Sequence, residues 1–150
     1  MQRVYPLNRR YNVVHRNLYK VHQRVAATFR KSRVILAGDS AHVNNSVGGL
    51  GLNSGIHDAM ELVDTLHEII DKKADHSLLD RYTRRRRASN IESVQEQTIA
   101  NKKRLEERDP AARQARFDEL RATAEDPQQH KEFLLGTSLI ASVRKAQSIG

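Results

Sequence analysis

Two groups of residues near the middle of the chain are of types that bind a small ligand. Asp39 follows a short apolar run at 34–37, and its carboxylate could accept hydrogen bonds from ligand hydroxyls. Further on lies a loop rich in glycine, with Gly48, Gly49 and Gly51. Glycines let a flat ligand approach the backbone, and free N–H groups at a helix start attract negative charge. The spacing predicts a site for a ligand that carries hydroxyls and a delocalised anionic group; the alternative is a connector that holds no ligand.

These residues are predicted to lie in a strand, a loop and a helix that follow one another directly. The apolar run near 33–37 ends at Gly38, which is typical of a short buried strand. The loop spans 38–52, and a helix over 53–71 follows, with Asn53 as its N-cap. Apolar residues recur at helical spacing and predict a buried stripe. The stripe consists of Leu52, Ile56, Ala59, Met60, Val63, Leu66 and Ile70.

Three segments contain most of these residues: Leu36-Ala-Gly-Asp-Ser-Ala-His42, Gly48-Gly49-Leu50-Gly51-Leu52-Asn53 and Gly55-Ile56-x-Asp58-Ala59. Together they resemble the second flavin-binding motif of class A flavoprotein monooxygenases, the FAD-dependent aromatic hydroxylases of the p-hydroxybenzoate hydroxylase type. The identities are spaced over about thirty residues, which makes the match specific. The resemblance implies that FAD is the cofactor, that NAD(P)H is the reductant and that a small aromatic molecule is the substrate.

The resemblance also assigns roles to individual residues. Asp39, which follows Gly38 in the motif, corresponds to the family's aspartate that holds the flavin ribityl chain. The loop and helix start correspond to the part that faces the pyrimidine side of the flavin ring. That part consists of Gly48, Gly49, Gly51, Leu52 and Asn53. The positive end of the helix dipole would then stabilise negative charge on the reduced flavin.

The chain departs from the family pattern after its motif histidine. Family members usually carry one or two prolines at the positions of Asn45 and Ser46, where they line the flavin ring. Asparagine and serine are more flexible and more polar, so the shape of the oxygen-activating pocket differs. The change favours, as an alternative within flavoproteins, an oxidase or dehydrogenase that shares the motif.

The resemblance covers most of the chain but only the last third of a typical family member. The Gly-x-Gly-x-x-Gly fingerprint of dinucleotide-binding folds is absent, since Ser54 stands where the third glycine after Gly49 and Gly51 would fall. The chain is therefore predicted to be an α/β fragment, the carboxyl-terminal part of an FAD/NAD(P)-binding Rossmann-like fold. It would form one partial domain over 1–150, inactive alone, with a missing N-terminal half as its partner.

Composition narrows the class of protein. A chain of 150 residues with 38% apolar residues builds one modest core, and the absence of cysteine excludes disulfides and thiolate metal sites. No signal peptide and no membrane span are apparent, which predicts a cytoplasmic protein.

Residues 1–37 contain nine basic residues and no acidic ones, but the basic residues alternate with apolar residues. That pattern favours the solvent face of a strand over nucleic-acid binding.

The other elements are mostly helices. Residues 10–37 are rich in β-branched and aromatic residues and predict two or three short strands. A second long helix is predicted over 77–108, and the basic run at 84–87 marks its solvated face. Asp109-Pro110 and Asp126-Pro127 are signatures of helix starts and predict helices over 110–124 and 127–147. Helices thus fill 53–148.

Two other interpretations remain open. Gly38-Asp39-Ser40 also resembles the block that carries the nucleophile of SGNH-type esterases, with Asp64 and His67 at the spacing of that family's Asp-x-x-His. Against it, these two residues fall in the middle of a helix, far from the loop. A non-catalytic helical remnant or interaction module is the second alternative. His42 is predicted to order the loop by bonding to backbone, with substrate contact as the alternative, and no catalytic residue is nominated.

Overall fold

The computed structural model describes residues 2–150, and these are mostly helical. The α-helices are α1 (Leu50–Ile70), α2 (Leu78–Ser89), α3 (Glu96–Glu106), α4 (Pro110–Glu125), α5 (Pro127–Thr137) and α6 (Ile140–Gln147). The strands, each of two residues, are β1 (Arg24–Val25), β2 (Arg30–Lys31), β3 (Val34–Ile35) and β4 (His42–Val43). A 3₁₀ turn spans Gly38–Ser40 and a π-helical segment spans Asn90–Gln95. The prediction of short strands followed by long helices is confirmed.

The strands form two separate antiparallel ribbons rather than one sheet. Strand β1 pairs with β4, and β2 pairs with β3. The strand predicted from Tyr11 onward forms only at Arg24–Val25, while the preceding residues 10–23 have no regular structure and are mostly exposed. An extended segment needs a neighbouring strand for its N–H and C=O groups, and residues 2–150 supply none there. Strand β4 lies inside the predicted loop.

Strand β3 is shorter and more exposed than the apolar run at 33–37 predicts. Only Val34–Ile35 are extended and paired, and Val34 is 65% exposed. The prediction of a buried strand is therefore wrong for these residues. A strand is buried when other strands and a helix cover it on both sides, and within residues 2–150 β3 pairs with β2 alone.

Helix α1 begins at Leu50, three residues earlier than predicted. The face that it buries is the one opposite to the predicted apolar stripe. Its buried residues are Leu50, Ser54, Asp58, Thr65 and Ile69. Most of the apolar stripe predicted to be buried is exposed: Leu52, Ile56, Ala59, Met60, Val63 and Ile70. The stripe exists as a helical face, but the protein packs against the other face, which is largely polar.

The second long helix is continuous from α2 through the π-helical segment to α3, so the predicted 77–108 is observed as 78–106. Tyr82 of α2 is fully buried with Phe29 and Ala41 in the first apolar core. Its hydroxyl donates a hydrogen bond to the carbonyl of Leu36 at 2.8 Å. This contact fixes α2 to the residues that follow β3.

Both helix starts predicted from Asp-Pro pairs are confirmed. The Asp109 carboxylate caps α4 by accepting hydrogen bonds from backbone N–H groups of its first turn, and the Asp126 carboxylate does the same for α5.

The predicted helix over 127–147 is wrong in one respect, because it breaks between α5 and α6. At the break Leu139 has φ of +63° and is buried in a second apolar core with Leu50 and Val94. Burial of that side chain stabilises the break against the cost of a left-handed leucine.

No helix in residues 2–150 is both long enough and apolar enough to cross a membrane.

Candidate functional site

Asp39 lies in the 3₁₀ turn rather than at the end of a strand. The turn is closed by Ser40, whose Oγ donates to the carbonyl of Ala37 at 2.7 Å and accepts its N–H at 3.2 Å. The side chain of Asp39 is exposed, and none of the hydrogen bonds or ion pairs formed within residues 2–150 involves its carboxylate. Both oxygens are therefore available to hydrogen-bond donors of a ligand.

Gly38 lets this turn pack directly on helix α1. Its φ is +57°, a conformation that residues with a side chain rarely adopt, and its N–H donates to Oδ2 of Asp58 at 2.9 Å. A side chain added at Gly55 of α1 would place its Cβ 3.4 Å from Cα of Gly38. The two glycines thus allow a close backbone approach that holds Asp39 beside the first turns of α1.

Asp58 is the centre of a buried polar network that anchors the turn. The residue is fully buried, and besides Gly38 its carboxylate accepts from Nε2 of His42 at 2.5 Å and from Nε of Arg86 at 2.7 Å. Burial by itself raises the pKa of the Asp58 carboxyl, but the His42 hydrogen bond and the Arg86 charge together outweigh it, and the pKa is lowered. Asp58 is therefore a charged carboxylate inside the protein.

His42 has a structural role different from the one predicted. It orders the loop, as expected, but its partner is the Asp58 carboxylate and not the backbone. Since Asp58 is charged, Nε2 carries the donated proton, and Nδ1 lies 3.4 Å from Nδ2 of Asn44. The residue is only 1% exposed, so contact of His42 with a substrate, the alternative raised above, is excluded in this arrangement.

Arg86 is the residue that the sequence reasoning missed. It is 3% exposed, and its guanidinium also contacts the carbonyl of Ser54, whose Oγ donates to Asn90 at 2.9 Å. The basic run at 84–87 was predicted to be a solvated face, which is wrong for Arg86. A signal was present: Leu79, Tyr82 and Arg86 follow one another at helical spacing, which puts the arginine on the buried face.

The loop between β4 and α1 is held by Asn45. Its Nδ2 donates to Oε1 of Gln23 at 2.8 Å and to the carbonyl of Thr98 at 3.2 Å, while its Oδ1 accepts the N–H of Val47. The expectation that asparagine makes this position flexible is therefore wrong. Three hydrogen bonds, two of them to distant parts of the chain, fix Asn45 at a position where the family has a rigid proline.

The start of α1 is open. Its N-cap is Gly49, with φ of +66°, and no side chain in the described part of the chain caps the first turn. The prediction of Asn53 as N-cap is wrong, because Asn53 lies within the helix and donates to the carbonyl of Gly49 at 3.1 Å. A Cβ added at Gly49 or Gly51 would meet nothing within 4 Å. The N–H groups of this first turn have no side-chain cap among residues 2–150, so they are available to negative charge.

The esterase alternative is excluded by the positions of its three residues. Ser40 uses its hydroxyl to close the 3₁₀ turn, and Nδ1 of His67 pairs with Asp71 at 2.5 Å on the exposed surface. Asp64 is an exposed residue of α1. A nucleophile must have its base within hydrogen-bond reach, and these residues do not provide one.

The candidate site lies on the surface, since Asp39, Gly48 and Gly49 are exposed. Two surface cavities of about 470 and 760 Å³ lie elsewhere, beside α3 and between α5 and α6, and neither is lined by residues 38–53. Asp39, the 3₁₀ turn and the start of α1 therefore form an open surface.

A family model described as "FAD binding domain" matches residues 9–97. Para-nitrophenol 4-monooxygenase of Pseudomonas sp. (strain WBC-3) is 44% identical over 108 residues, which cover 72% of this chain and 27% of that protein. 6-Hydroxy-3-succinoylpyridine 3-monooxygenase HspB of Pseudomonas putida is 40% identical over 105 residues, with coverage of 70% and 27%.

A solved structure also has the same fold over much of the chain. The crystal structure of p-nitrophenol 4-monooxygenase PnpA from Pseudomonas putida DLL-E4 aligns with a TM-score of 0.73 at 41% sequence identity, covering 78% of this chain and 30% of that one. The chain thus spans less than a third of the length of these relatives. The predicted resemblance to FAD-dependent aromatic hydroxylases is confirmed.

Proposed function

The chain belongs to the FAD binding domain family, and we propose that residues 1–150 form one partial FAD-binding domain, the carboxyl-terminal part of a Rossmann-like fold. In this proposal the chain holds the ribityl and ring end of FAD. The observation that carries it is the exposed carboxylate of Asp39, which has no partner within residues 2–150 and lies on a turn packed beside the open start of a helix.

Asp39 is proposed to hold the ribityl chain of FAD. Its carboxylate is exposed and unpaired within residues 2–150, while the turn that carries it is anchored through Gly38 to the buried Asp58. A carboxylate that accepts hydrogen bonds from hydroxyls makes charge-assisted bonds, which are stronger than neutral ones. An anchored turn also reduces the entropy lost when the ligand binds.

The loop and the helix start are proposed to contact the flavin ring. The residues concerned are Gly48, Gly49, Gly51, Leu52 and Asn53. The open space at Gly49 and Gly51 fits a flat ring that lies against the backbone, and the uncapped first turn of α1 fits a ring that becomes anionic on reduction. The residues present therefore suit this cofactor.

The parent activity is proposed to be hydroxylation of an aromatic or related ring by an NAD(P)H-dependent monooxygenase. The names of the relatives support it, since they are monooxygenases acting on para-nitrophenol and on a hydroxypyridine. FAD, when bound, supplies the oxygen-activating chemistry, while the chain supplies binding and electrostatic stabilisation.

We propose that the chain is inactive alone, because it spans only 27–30% of the relatives' length. The missing part would carry the remaining FAD contacts and the substrate site.

The test is a flavin spectrum of the purified chain before and after addition of FAD, followed by measurement of NAD(P)H consumption with nitrophenol present. We expect a shift of the flavin absorbance or quenching of its fluorescence on binding, with no NAD(P)H consumption by the chain alone. Hydroxylation by the chain alone would show that it is complete. Absence of flavin binding, both alone and with the complementary part of a relative, would favour a non-catalytic interaction module.

A further inference from the structure

The side-chain amide of Gln23 joins the loop between β4 and α1 to helix α3. Its Nε2 donates to Oγ1 of Thr98 at 2.9 Å and to the carbonyl of Gln95 at 3.1 Å. Its Oε1 accepts a hydrogen bond from Nδ2 of Asn45 at 2.8 Å. The two N–H groups and the oxygen of this amide are therefore all paired, which fixes its orientation. We call Gln23, Asn45 and Thr98 the loop clamp.

The clamp brings together three side chains from separate parts of the chain. Gln23 directly precedes β1, and the partner strand β4 leads into the loop, so this ribbon places the glutamine beside the loop. Asn45 makes a second bond within the clamp, because its Nδ2 also donates to the carbonyl of Thr98 at 3.2 Å. Thr98 itself is fully buried in α3. Hydrogen bonds that are shielded from water in this way are stronger than exposed ones.

The same long helix holds the loop at both of its ends. Asn45, near the start of the loop, is bonded to α3. Leu50, directly after the end of the loop, packs with Val94 of the π-helical segment that precedes α3. Segments of π-helix are rare and frequently lie at functional sites. Gly48 and Gly49 lie between the two anchors with φ of +96° and +66°, and glycine adopts many backbone conformations. The conformation of the two glycines therefore depends on the anchors.

We propose that Gln23 is a positioning residue for FAD: acting through Asn45 and Thr98, it holds residues 46–49 in the conformation that receives the flavin ring. This inference rests on the proposed function, in which the ring lies against the glycines of this loop but Gln23 has no role. The hydrogen bonds of Gln23 within residues 2–150 do not reach 46–49, so its effect passes through the clamp. A loop that is ordered before binding loses less entropy when the ligand binds.

Hydrogen exchange of the free chain tests whether Gln23 orders the loop. In Gln23→Ala, the N–H of Val47, which donates to Oδ1 of Asn45, should exchange about three- to tenfold faster, because Asn45 loses its partner. Gln97→Ala is the matched control, since Gln97 is also a half-buried glutamine, and its Nε2 donates from α3 to the carbonyl of Gly136 at 3.0 Å. It should leave exchange at Val47 unchanged. Unchanged exchange at Val47 in Gln23→Ala would overturn the proposal, and so would an equal acceleration along α2 and α3, which would indicate general destabilisation.

Two substitutions at Thr98 test whether the effect runs through the clamp. Thr98→Val keeps the shape of the side chain but removes the hydroxyl that accepts from Gln23, so it should also speed exchange at Val47. The double variant should exchange no faster than Gln23→Ala alone, because both substitutions break the same contact. Thr98→Ser keeps the hydroxyl and should exchange as the wild type does. Additive effects of Gln23→Ala and Thr98→Val would overturn the coupling.

Flavin fluorescence of the complex with the complementary part of a relative tests the link to the cofactor. Gln23→Ala should weaken FAD binding about three- to tenfold and change the fluorescence of the bound flavin, whereas Gln97→Ala should do neither. Wild-type affinity and fluorescence in Gln23→Ala, despite a loosened loop, would overturn the positioning role. A wild type that binds no FAD would reject the proposed function and with it the role toward FAD, while the exchange measurements still decide whether Gln23 holds the loop.

Discussion

The N–H of Gly38 donates to Oδ2 of Asp58 over 2.9 Å, and this bond joins the turn that presents Asp39 to the buried interior of the protein. The same carboxylate accepts from His42 and Arg86, so one side chain links the 3₁₀ turn, strand β4 and helices α1 and α2. The exposed Asp39 is thus positioned by a second, buried aspartate.

We expect Asp58→Asn to destabilise the protein strongly. The substitution keeps the shape of the side chain but leaves the Arg86 charge buried without its counter-ion, which costs about 3–5 kcal/mol in comparable buried pairs. Asp64→Asn is the matched control, because Asp64 lies exposed on the same helix and its loss should cost less than about 0.5 kcal/mol. Urea unfolding followed by circular dichroism measures both. Equal stability of the two variants would show that the network contributes nothing.

The Asp58 carboxyl should make the protein sensitive to acid. Its pKa in the folded protein is lowered from 3.8, by the His42 hydrogen bond and the Arg86 charge acting against burial. A lowered folded pKa means that the stabilisation is present above the unfolded value and is lost as the pH falls through the folded one. The free energy of unfolding of the wild type should therefore decrease below about pH 4. In Asp58→Asn this part of the decrease should be missing, and a wild-type slope in that variant would contradict the assignment.

Alanine substitution at Gly48 and at Gly51 should have opposite effects on the stability of the protein. Gly48 has φ of +96°, so Gly48→Ala forces a side chain into a left-handed backbone, at a cost of about 1–2 kcal/mol. Its Cβ would also lie 2.6 Å from Nδ2 of Asn101, although that side chain can move away. Gly51 lies within α1 with open space around it, and Gly51→Ala should stabilise the chain by about 0.5–1 kcal/mol. Thermal unfolding of both variants tests the assignment, which fails if the two shift the midpoint in the same direction.

The parts of the fold that depend on local chemistry could be predicted from the sequence. Asp109 and Asp126 cap the helices that they precede, since a carboxylate two or three residues before free N–H groups needs no distant partner. The order of strand β3, the turn that carries Asp39 and helix α1 was also predictable, whereas strand β4 within the loop was not predicted. The break at Leu139 was not, because it depends on burial against Leu50 and Val94, which are far away in sequence.

The orientation of α1 shows why the rest could not be predicted. A helical stripe identifies an apolar face but not the neighbour that covers it, so the sequence alone could not show that the polar face is the buried one here. The network around Asp58 joins residues 16 to 28 positions apart. Only the tertiary packing of α1 on α2 brings the Arg86 charge to that carboxylate, and a basic run by itself favours a solvated face.

The last prediction concerns Asp39 itself. The carboxylate has no partner within residues 2–150, so Asp39→Ala should change the free energy of unfolding by less than about 0.5 kcal/mol. In the complex with the complementary part of a relative, the same substitution should weaken FAD binding by about ten- to a hundredfold. The reason is that a charge-assisted hydrogen bond worth roughly 1.5–3 kcal/mol is lost.

Titration of FAD followed by flavin fluorescence measures this change, with two variants for comparison. His57→Ala, on α1 beyond the flavin loop, should bind FAD as the wild type does. Gly49→Val should weaken binding for two reasons: its side chain would fill the open space that the ring approaches, and the φ of +66° at this position strains a β-branched residue. If Asp39→Ala binds FAD as tightly as the wild type while His57→Ala does not, the ribityl chain lies elsewhere. The role assigned to Asp39 would then be wrong, although the structure of the turn would be unaffected.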